Sequence, residues 1–462
     1  MPPVLALILC GLVVLNLLIA ERKANPEPSS AAWLPTLWVL VAAGKPLGTW
    51  LGEGGGDEGS IADQLFGGTL LIAGLLVLTA RGFSWARVWR TTTCLMILLA
   101  YMGISAFWSD IAGTTFKRWG RELILVIMAC VVASEENPRR TLEAIFRRCA
   151  YVLIPLSLVL IKYYPVLGVQ YRYAGGQMWI GATLQKNSLG RLCLIAAFFL
   201  VWSLVRTRRL KTIAPAMQRQ LRRDFAVLVL AVFLLLGPGD AQYSATAVTA
   251  ISIGFVTYLY MSWRHARGAD TPAGLLVTSA FVLILAAGIL QPFVAGKQVA
   301  GIASDLGRDV TLTGRTEIWA GLIEEVEGRP LFGAGVSSFW TSEMKNVHDI
   351  GEAHNGYLDV VLSLGTTGLL LTTLFLFASF RRAQREMTTD FDWGCLWLCF
   401  LLMAAVHNIT ESSFNSLTTH FMSTLVFLAL GLMPKEESQL GSRAASARVE
   451  ATFNGAVRGG PL

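Results

Sequence analysis

Charged residues are scarce in this chain of 462 residues, at 15%, whereas hydrophobic residues make up 54%. A soluble globule of this composition would leave large apolar patches in contact with water, so the composition excludes that class of protein. The sequence also lacks a polar stretch long enough to form a separate soluble domain. Lipid is therefore expected to surround most of the chain.

Cysteine is absent from the longest polar stretch, residues 293–355. All seven cysteines lie in or beside apolar runs, namely Cys10, Cys94, Cys130, Cys149, Cys193, Cys395 and Cys399. This placement is typical of small buried side chains and argues against disulfides and cysteine-bound metals. A positively charged start, as in cleavable signal peptides, is missing too, so we expect residues 2–20 to be a retained first span.

Apolar runs of about 20 residues, the length that spans a bilayer as a helix, recur from end to end. The candidate spans are residues 2–20, 32–49, 62–80, 91–108, 120–134, 149–166, 188–205, 224–237, 243–262, 274–292, 356–379, 394–410 and 416–433. The second run is short and polar, so the sequence predicts an all-α polytopic membrane protein with about twelve or thirteen transmembrane helices. Residues 1–433 would form a single transmembrane domain.

The net charge of +7 is explained by topology rather than by nucleic-acid binding, because the cations gather in short loops between spans. Placing the arginine-rich loop of residues 206–223 in the cytoplasm puts most of the 38 Lys and Arg residues on that side. The loop of residues 293–355 then faces outward, where function is often carried. Residues 434–462 are expected to form a disordered cytoplasmic tail.

The long loop contains a predicted amphipathic helix that ends at Gly328 and Pro330. Its apolar stripe consists of Ile318, Trp319, Leu322, Ile323 and Val326. Arg315 shares this stripe, so its guanidinium needs an anionic partner. That partner is either a loop acid such as Asp309 or Glu352, or a phosphate group of a ligand.

His354 closes the loop and places a titratable group at the mouth of the next helix. A lone histidine is usually structural, but Glu352, Asn355 and Asp359 lie beside this one.

Seven cations lie on the predicted outer side, where the positive-inside rule disfavours them. They either pair with acids and lipid headgroups or bind an anionic ligand. These cations are Lys117, Arg118, Arg121, Arg172, Lys186, Arg191 and Arg315.

Three motifs in this order resemble the signature loop of the O-antigen ligase and polymerase superfamily. They are Arg315–Trp319, Pro330–Gly335, and His354-Asn355 followed by Gly365 and Gly368. Gly181–Gly190 is similar to the family's Lys-Asn motif and contains Asn187, and Asn408–Ser413 is similar to its late Glu-Ser motif and contains Glu411. The chain departs from the family at Ala245, where members often carry Arg or Lys.

The resemblance implies a fold like that of the C-type membrane glycosyltransferases. It also implies transfer of a glycan from a polyprenyl (undecaprenyl) diphosphate carrier to an acceptor hydroxyl, at the periplasmic face of the bacterial inner membrane. The reaction would invert the anomeric centre and use no metal or cofactor. His354 would be the general base and Arg315 the cation on the diphosphate, with Arg191, Lys186, Arg172 and Arg118 as further diphosphate ligands, and Asn355, Asp359, Glu352, Asn187 and Glu411 in support.

Several alternatives remain open at this point. The acceptor is a glycan, lipid A core or, as in protein O-oligosaccharyltransferases, a protein hydroxyl, and a polysaccharide-lipid flippase is the rival from another class. A flippase predicts charges at mid-membrane, whereas these charges cluster at the ends of the spans. The Asp390–Asp392 motif nominally fits a nucleotide-sugar enzyme, but no nucleotide-binding domain surrounds it.

Overall fold

The computed structural model describes residues 1–53, 59–171, 176–209, 214–237, 243–268, 274–302 and 315–434. The helices in these ranges are α1 (Pro3–Ala24), α2 (Trp33–Ala43), α3 (Leu47–Trp50), α4 (Ile61–Ala80), α5 (Trp85–Thr91), α6 (Thr93–Ile104), α7 (Ala112–Ala133), α8 (Pro138–Tyr163), α9 (Pro165–Gly168), α10 (Lys186–Arg208), α11 (Pro215–Leu236), α12 (Ala245–Ala266), α13 (Leu275–Ile302), α14 (Arg315–Gly328), α15 (Ser342–His348), α16 (Gly356–Thr389), α17 (Phe391–Thr410) and α18 (His420–Gly431). Two 3₁₀ turns lie at Ser30–Ala32 and Ser105–Phe107. The strands β1 (Val169–Tyr171) and β2 (Gln177–Trp179) pair antiparallel.

The prediction of an all-α polytopic membrane protein is confirmed. Eight helices of the described ranges are long and apolar enough to cross a membrane, and the pair α5 and α6, bent by 101°, makes up to nine. Each remaining expected span also corresponds to a helix, but α2 and α18 have only 11 and 12 residues. The other two, α7 and α11, carry clusters of charge in their first halves. The count of helices that qualify is therefore lower than the sequence suggested.

The centre of the bundle is formed by helices that are apolar on all sides. The membrane-length window of α17 is 89% buried and that of α10 is 78% buried, whereas α1 and α4 reach only 17%. A helix that is hydrophobic all round is stable either inside a protein or in lipid. Hence α10 and α17 form the core, and α1 and α4 present their apolar surfaces outward.

Two buried ion pairs tie helices together inside the bundle. Arg147 on α8 lies 3.2 Å from Asp224 on α11, and Arg148 lies 2.7 Å from Glu21 on α1. A charge in an apolar interior is tolerated only when it is paired. These contacts fix α1, α8 and α11 relative to one another.

Helix α16 is broken at Gly365, where φ is 68° and ψ is −173°. The carbonyls freed by the break accept hydrogen bonds from Ala334 N, 3.0 Å from Leu362 O, and from Gly335 N, 2.8 Å from Ser363 O. On the other side of the break, the N–H groups of two threonines donate to the carbonyls of Pro330 and Leu331. The segment Pro330–Gly335 thus completes the backbone hydrogen bonding of α16, which an apolar environment requires.

Candidate functional site

His354 lies in a strained turn directly before α16. Its φ of 50° is in the left-handed region, which is uncommon for a residue other than glycine and occurs most often at functional turns. The next residue, Asn355, caps α16, because its Oδ1 accepts the backbone N–H groups of Tyr357 at 3.0 Å and of Leu358 at 2.9 Å. Its amide nitrogen donates to carbonyls of α13 and α17 at 3.1 Å each. Asn355 therefore fixes the backbone from which the imidazole projects.

Two carboxylates face the same nitrogen of that imidazole. His354 Nδ1 is 3.4 Å from Glu352 Oε1 and 3.8 Å from Glu411 Oε2. The side chains of His354 and Glu352 keep 30% and 20% of their surface exposed, whereas Glu411 keeps 4%. The imidazole is thus reachable from outside while its Nδ1 side is turned toward buried negative charge.

Glu411, which ends α17, is the centre of the arrangement. Its Oε1 accepts a hydrogen bond from Arg315 Nη2 at 3.1 Å, and its Oε2 accepts one from Asn187 Nδ2 at 2.7 Å. Arg315 opens α14 and Asn187 lies in the first turn of α10. A single carboxylate therefore brings His354, Arg315 and Asn187 together from three different elements.

The amphipathic helix predicted from the loop sequence is α14. Its stripe packs inward, with Trp319 and Leu322 fully buried, and Trp319 Nε1 donates to Ala353 O at 2.9 Å. Arg315 finds its anionic partner in Glu411 rather than in Glu352, while Asp309 lies outside the described residues. The guanidinium is 17% exposed, and it places one of its five N–H groups on Glu411.

Asp359, predicted together with Glu352 to support His354, contacts the backbone before that residue. Its carboxylate accepts Trp340 Nε1 at 2.6 Å and Ala353 N at 3.1 Å, and it also accepts the hydroxyl of Ser412. It therefore holds the backbone immediately before His354. Glu352 and Glu411, instead, are the acids that face the imidazole.

The surrounding charges change the protonation of both members of the His354–Glu352 pair. The negative charge of Glu411 and of Glu352 raises the pKa of His354 above its ordinary value of 6.5, against the opposing effects of burial and of Arg315. Burial, with the negative charge of Glu411, raises the pKa of Glu352 to about 7. Arg191 also acts on Glu352 and lowers its pKa. Both groups therefore keep their protons to higher pH than they would in water.

The four further cations predicted to bind diphosphate do not all meet at His354. Arg191 on α10 donates to Ser412 O at 3.4 Å and lies within electrostatic range of Glu352 and Glu411. Lys186 lines a small cavity formed with Trp179 and Tyr243. Arg118 donates to Ser337 O at 2.6 Å on a different loop, and Arg172 lies outside the described residues. Of the four, Arg191 joins Arg315 at the candidate site.

A metal ion has suitable ligands at this site. Glu352, His354 and Glu411 each offer one ligand atom, and these three atoms lie within 4.8 Å of one another. One imidazole with two carboxylates is a donor set that divalent cations accept. The prediction of a metal-independent reaction stays a prediction. Chelation of divalent cations during glycan transfer tests this prediction.

The Asp390–Asp392 motif has a structural explanation. Asp390 caps α17 by accepting the backbone N–H of Trp393 at 3.2 Å, and Asp392 lies 3.2 Å from Arg209. Both carboxylates are thus engaged at the start of a helix and in an ion pair. The nucleotide-sugar alternative loses its only sequence feature.

Sequence reasoning missed a buried lysine that supports the site. Lys45 Nζ donates to the carbonyls of Leu167 at 2.8 Å, Gly181 at 2.7 Å and Thr183 at 2.6 Å, and burial lowers its pKa to about 8. The carbonyls of Gly181 and Thr183 belong to the turn that leads into α10 and Asn187, and that of Leu167 lies in α9. The available signal was a single lysine inside an otherwise apolar run.

Two comparisons with known proteins show what this chain is similar to. Residues 225–373 match a family model described as O-Antigen ligase, and this segment contains both Arg315 and His354. The chain is also 26% identical over 307 residues to the exopolysaccharide production protein ExoQ of Rhizobium meliloti (strain 1021). That alignment covers 63% of this chain and 65% of the relative, so the chain spans slightly less than two thirds of the relative's length.

Proposed function

The resemblance of this chain to the O-antigen ligase and polymerase superfamily is confirmed, and on that premise we propose that it transfers a glycan from an undecaprenyl diphosphate carrier to an acceptor hydroxyl. The comparisons support a role of the glycan ligase or polymerase type, and the carrier, the inverting mechanism and the periplasmic face are further parts of our proposal. The observation that supports the transfer chemistry is the position of Glu411, which binds Arg315 at 3.1 Å and faces His354 at 3.8 Å.

In this proposal His354 takes the proton of the acceptor hydroxyl. Its Nδ1 faces Glu352 and Glu411, so the carboxylates hold the proton on that nitrogen and leave Nε2 as the base. The same acids stabilise the imidazolium that forms, as the acid does in a Ser-His-Asp triad. Raised basicity and partial exposure of the imidazole both suit this task.

Arg315 and Arg191 would stabilise the diphosphate as it leaves. Negative charge grows on the phosphate oxygens when the bond to the sugar breaks, and fixed guanidinium groups at a partly dehydrated site stabilise that charge better than water does. The oxygen of the acceptor forms the new bond to the anomeric carbon from the face opposite the diphosphate. The configuration at that carbon is therefore inverted, with no covalent intermediate on the protein.

We also propose a membrane face for the site and a class of acceptor. We place the site at the periplasmic face of a bacterial inner membrane, where the charge distribution of the loops puts residues 293–355. The relative's printed role in exopolysaccharide production favours a polysaccharide chain as acceptor over lipid A core or a protein hydroxyl. Residues 1–433 would act as a single transmembrane domain.

The function is tested with purified protein in proteoliposomes supplied with labelled undecaprenyl-diphosphate glycan. We expect loss of donor together with a new glycosidic bond whose anomeric configuration, read by NMR, is opposite to that of the donor. EDTA is expected to leave the rate unchanged. Movement of labelled lipid across the bilayer with no new bond would contradict the proposal and favour a flippase, and a retained configuration would contradict the inverting mechanism.

The rate of transfer is expected to rise with pH through an apparent pKa above 6.5, because the base must be neutral and its surroundings raise its pKa. Glu352 and Glu411 raise this pKa, and Arg315 lowers it. Glu352→Gln removes one of the raising charges, so the midpoint of the acid limb should move to lower pH. The check is a pH profile of kcat/KM.

The matched control for this shift is Glu324→Gln, which removes a carboxylate from the exposed face of α14. Its profile should coincide with that of the unaltered protein. An acid limb that stays at the same midpoint in Glu352→Gln would remove Glu352 from the mechanism.

A further inference from the structure

A second cavity lies beside the candidate site, with a volume of about 580 Å³. This volume falls within the range of roughly 300–1,000 Å³ that is typical of ligand pockets. The start of α7, the end of α14, the start of α15 and the first half of α16 form its walls. Arg315, His354, Glu352 and Glu411 are not among its lining residues, so it is separate from the site described above.

The lining of this cavity combines hydroxyls, carboxylates and one apolar wall. Ser109, Thr114 and Thr341 contribute hydroxyl groups, and Phe339 and Val361 contribute apolar surface. Hydroxyl groups both donate and accept hydrogen bonds, and an aromatic ring offers an apolar surface. A sugar ring has the complementary properties, because it carries hydroxyls at its edge and C–H groups on its faces.

Its charges give the lining a negative balance, with three carboxylates and one guanidinium. Asp110 is paired with Arg329 at 2.8 Å, and Glu325 faces His348 at 3.5 Å. Glu343, in the first turn of α15, adds a carboxylate at the rim. Carboxylates accept strong, charge-assisted hydrogen bonds from neutral donors such as sugar hydroxyls. The lining therefore fits a neutral polyhydroxy ligand better than an acyl chain or a phosphate.

A short chain of contacts connects this cavity to His354. Phe339, in the cavity wall, packs edge-to-face on Trp340 with ring centroids 4.9 Å apart. Trp340 donates to Asp359, and Asp359 accepts the N–H of Ala353, the residue before His354. Two side chains, Trp340 and Asp359, thus link the cavity wall to the turn that carries the imidazole.

We propose that this cavity binds sugar residues of the glycan, a few units away from the bond that is formed at His354. The inference rests on the proposed transfer function and adds a subsite to it. The sugars come from either the acceptor chain or the donor glycan, which share the same chemistry. Binding at this distance from the reacting bond would set which glycans the protein accepts.

The test variant is Glu325→Gln/Glu343→Gln, which removes two carboxylates from the cavity. Its control is Glu324→Gln/Glu327→Gln, which removes the same charge from exposed positions of α14 outside the lining. The probe is the oligosaccharide released by mild acid from the lipid-linked donor. Its binding to the full chain in detergent is measured by isothermal titration calorimetry.

We expect the cavity variant to bind the oligosaccharide about tenfold or more weakly, since each lost hydrogen bond to a charged group has an effect of that order. The control variant should bind like the unaltered protein. Equal affinity of the cavity variant and the control would overturn the inference. The turnover of His354→Ala is measured separately in the transfer assay, so a failure of the proposed chemistry is visible separately from a failure of this subsite.

Kinetics distinguish the two sources of the sugar. A higher KM for acceptor oligosaccharides in the cavity variant, at unchanged kcat, would assign the subsite to the acceptor chain. A higher KM for the lipid-linked donor alone would assign it to the donor glycan. Unchanged KM values for both substrates would contradict the inference.

Discussion

His354→Ala should lower the turnover of glycan transfer by about 10²–10⁴-fold, the usual contribution of a general base. The chemical reason is that the acceptor hydroxyl would have to attack with its proton in place. Binding of donor should change little, because the imidazole is proposed to contact the acceptor and not the diphosphate. Initial rates in proteoliposomes, normalised to folded protein recovered by gel filtration, measure the effect.

Arg315→Ala is expected to lower turnover by about 10²–10³-fold through loss of a fixed donor to the leaving group. The variant also leaves Glu411 without its partner at 3.1 Å. Arg315→Lys keeps the positive charge but not the planar fork, so it should recover only part of the rate. A partial recovery of the rate by Arg315→Lys would show that the guanidinium binds phosphate and does not only neutralise Glu411.

Matched controls exist at the far end of α12. His265 stacks on Phe391 and Arg267 lies over the Trp263 ring. Because Thr246, at the start of α12, contacts Thr410 beside the site, these control residues lie roughly 30 Å away by the rise of a helix. His265→Ala and Arg267→Ala should transfer glycan at normal rates. Full activity of His354→Ala or Arg315→Ala would refute the assigned roles.

Arg315 and His354 could be picked out from the sequence as candidates, whereas the carboxylate that they share could not be found from periodicity or composition. Arg315 stood out as a cation on an apolar stripe, and His354 as a titratable residue at the entrance of a helix. Glu411 is 96 residues from Arg315 and 224 residues from Asn187 along the chain. Only the family motifs indicated Asn187 and Glu411, because nothing in local patterning reports on contacts of that separation.

The fold was predictable in kind but less so in its details. Hydropathy found a helix for each expected span, since apolar composition is a local property. It could not show that α7 and α11 carry their charges into the bundle, where Asp224 is paired with Arg147. It also placed Lys45 within a span, whereas the structure uses that ammonium to bind three backbone carbonyls.

The motif Pro330–Gly335 illustrates why a pattern is easier to find than to explain. The sequence identified this segment only as one of the motifs that resemble the family. In the structure the segment fills the break of α16, and Phe339 and Trp340, which follow it, are each 7% exposed. A helix break inside an apolar run has no signature in hydropathy, because the residues on both sides of it remain apolar.

Gly365→Ala is expected to have the largest effect on folding. The backbone at Gly365 has φ of 68° and ψ of −173°, a conformation that is essentially restricted to glycine. A Cβ there would lie 2.2 Å from both the carbonyl carbon and the oxygen of Leu331. Strain of about 1–3 kcal/mol and overpacking of a similar size together predict a loss of roughly 2–6 kcal/mol in stability.

The damage should extend from the break to the site. Displacement of Leu331 would move Pro330–Gly335 away from α16. The carbonyls of Leu362 and Ser363 would then lose their hydrogen bonds in an apolar environment. The first half of α16, which begins two residues after His354, would lose its support at the opposite end. We therefore expect little folded protein in detergent by gel filtration, and a lower midpoint of thermal unfolding for whatever is recovered.

The contrast with a tolerant glycine makes this prediction specific. Gly68 lies within the helix α4, and a Cβ built there meets nothing within 4 Å. Gly68→Ala should therefore unfold at or slightly above the normal temperature, since alanine favours helix over glycine by about 1 kcal/mol. Gly333→Ala should resemble Gly365→Ala, because its Cβ would lie 2.6 Å from Gly365 N and its φ is 65°. Normal unfolding of both the Gly365 and the Gly333 variants would mean that the break and the segment filling it do not hold the site in place.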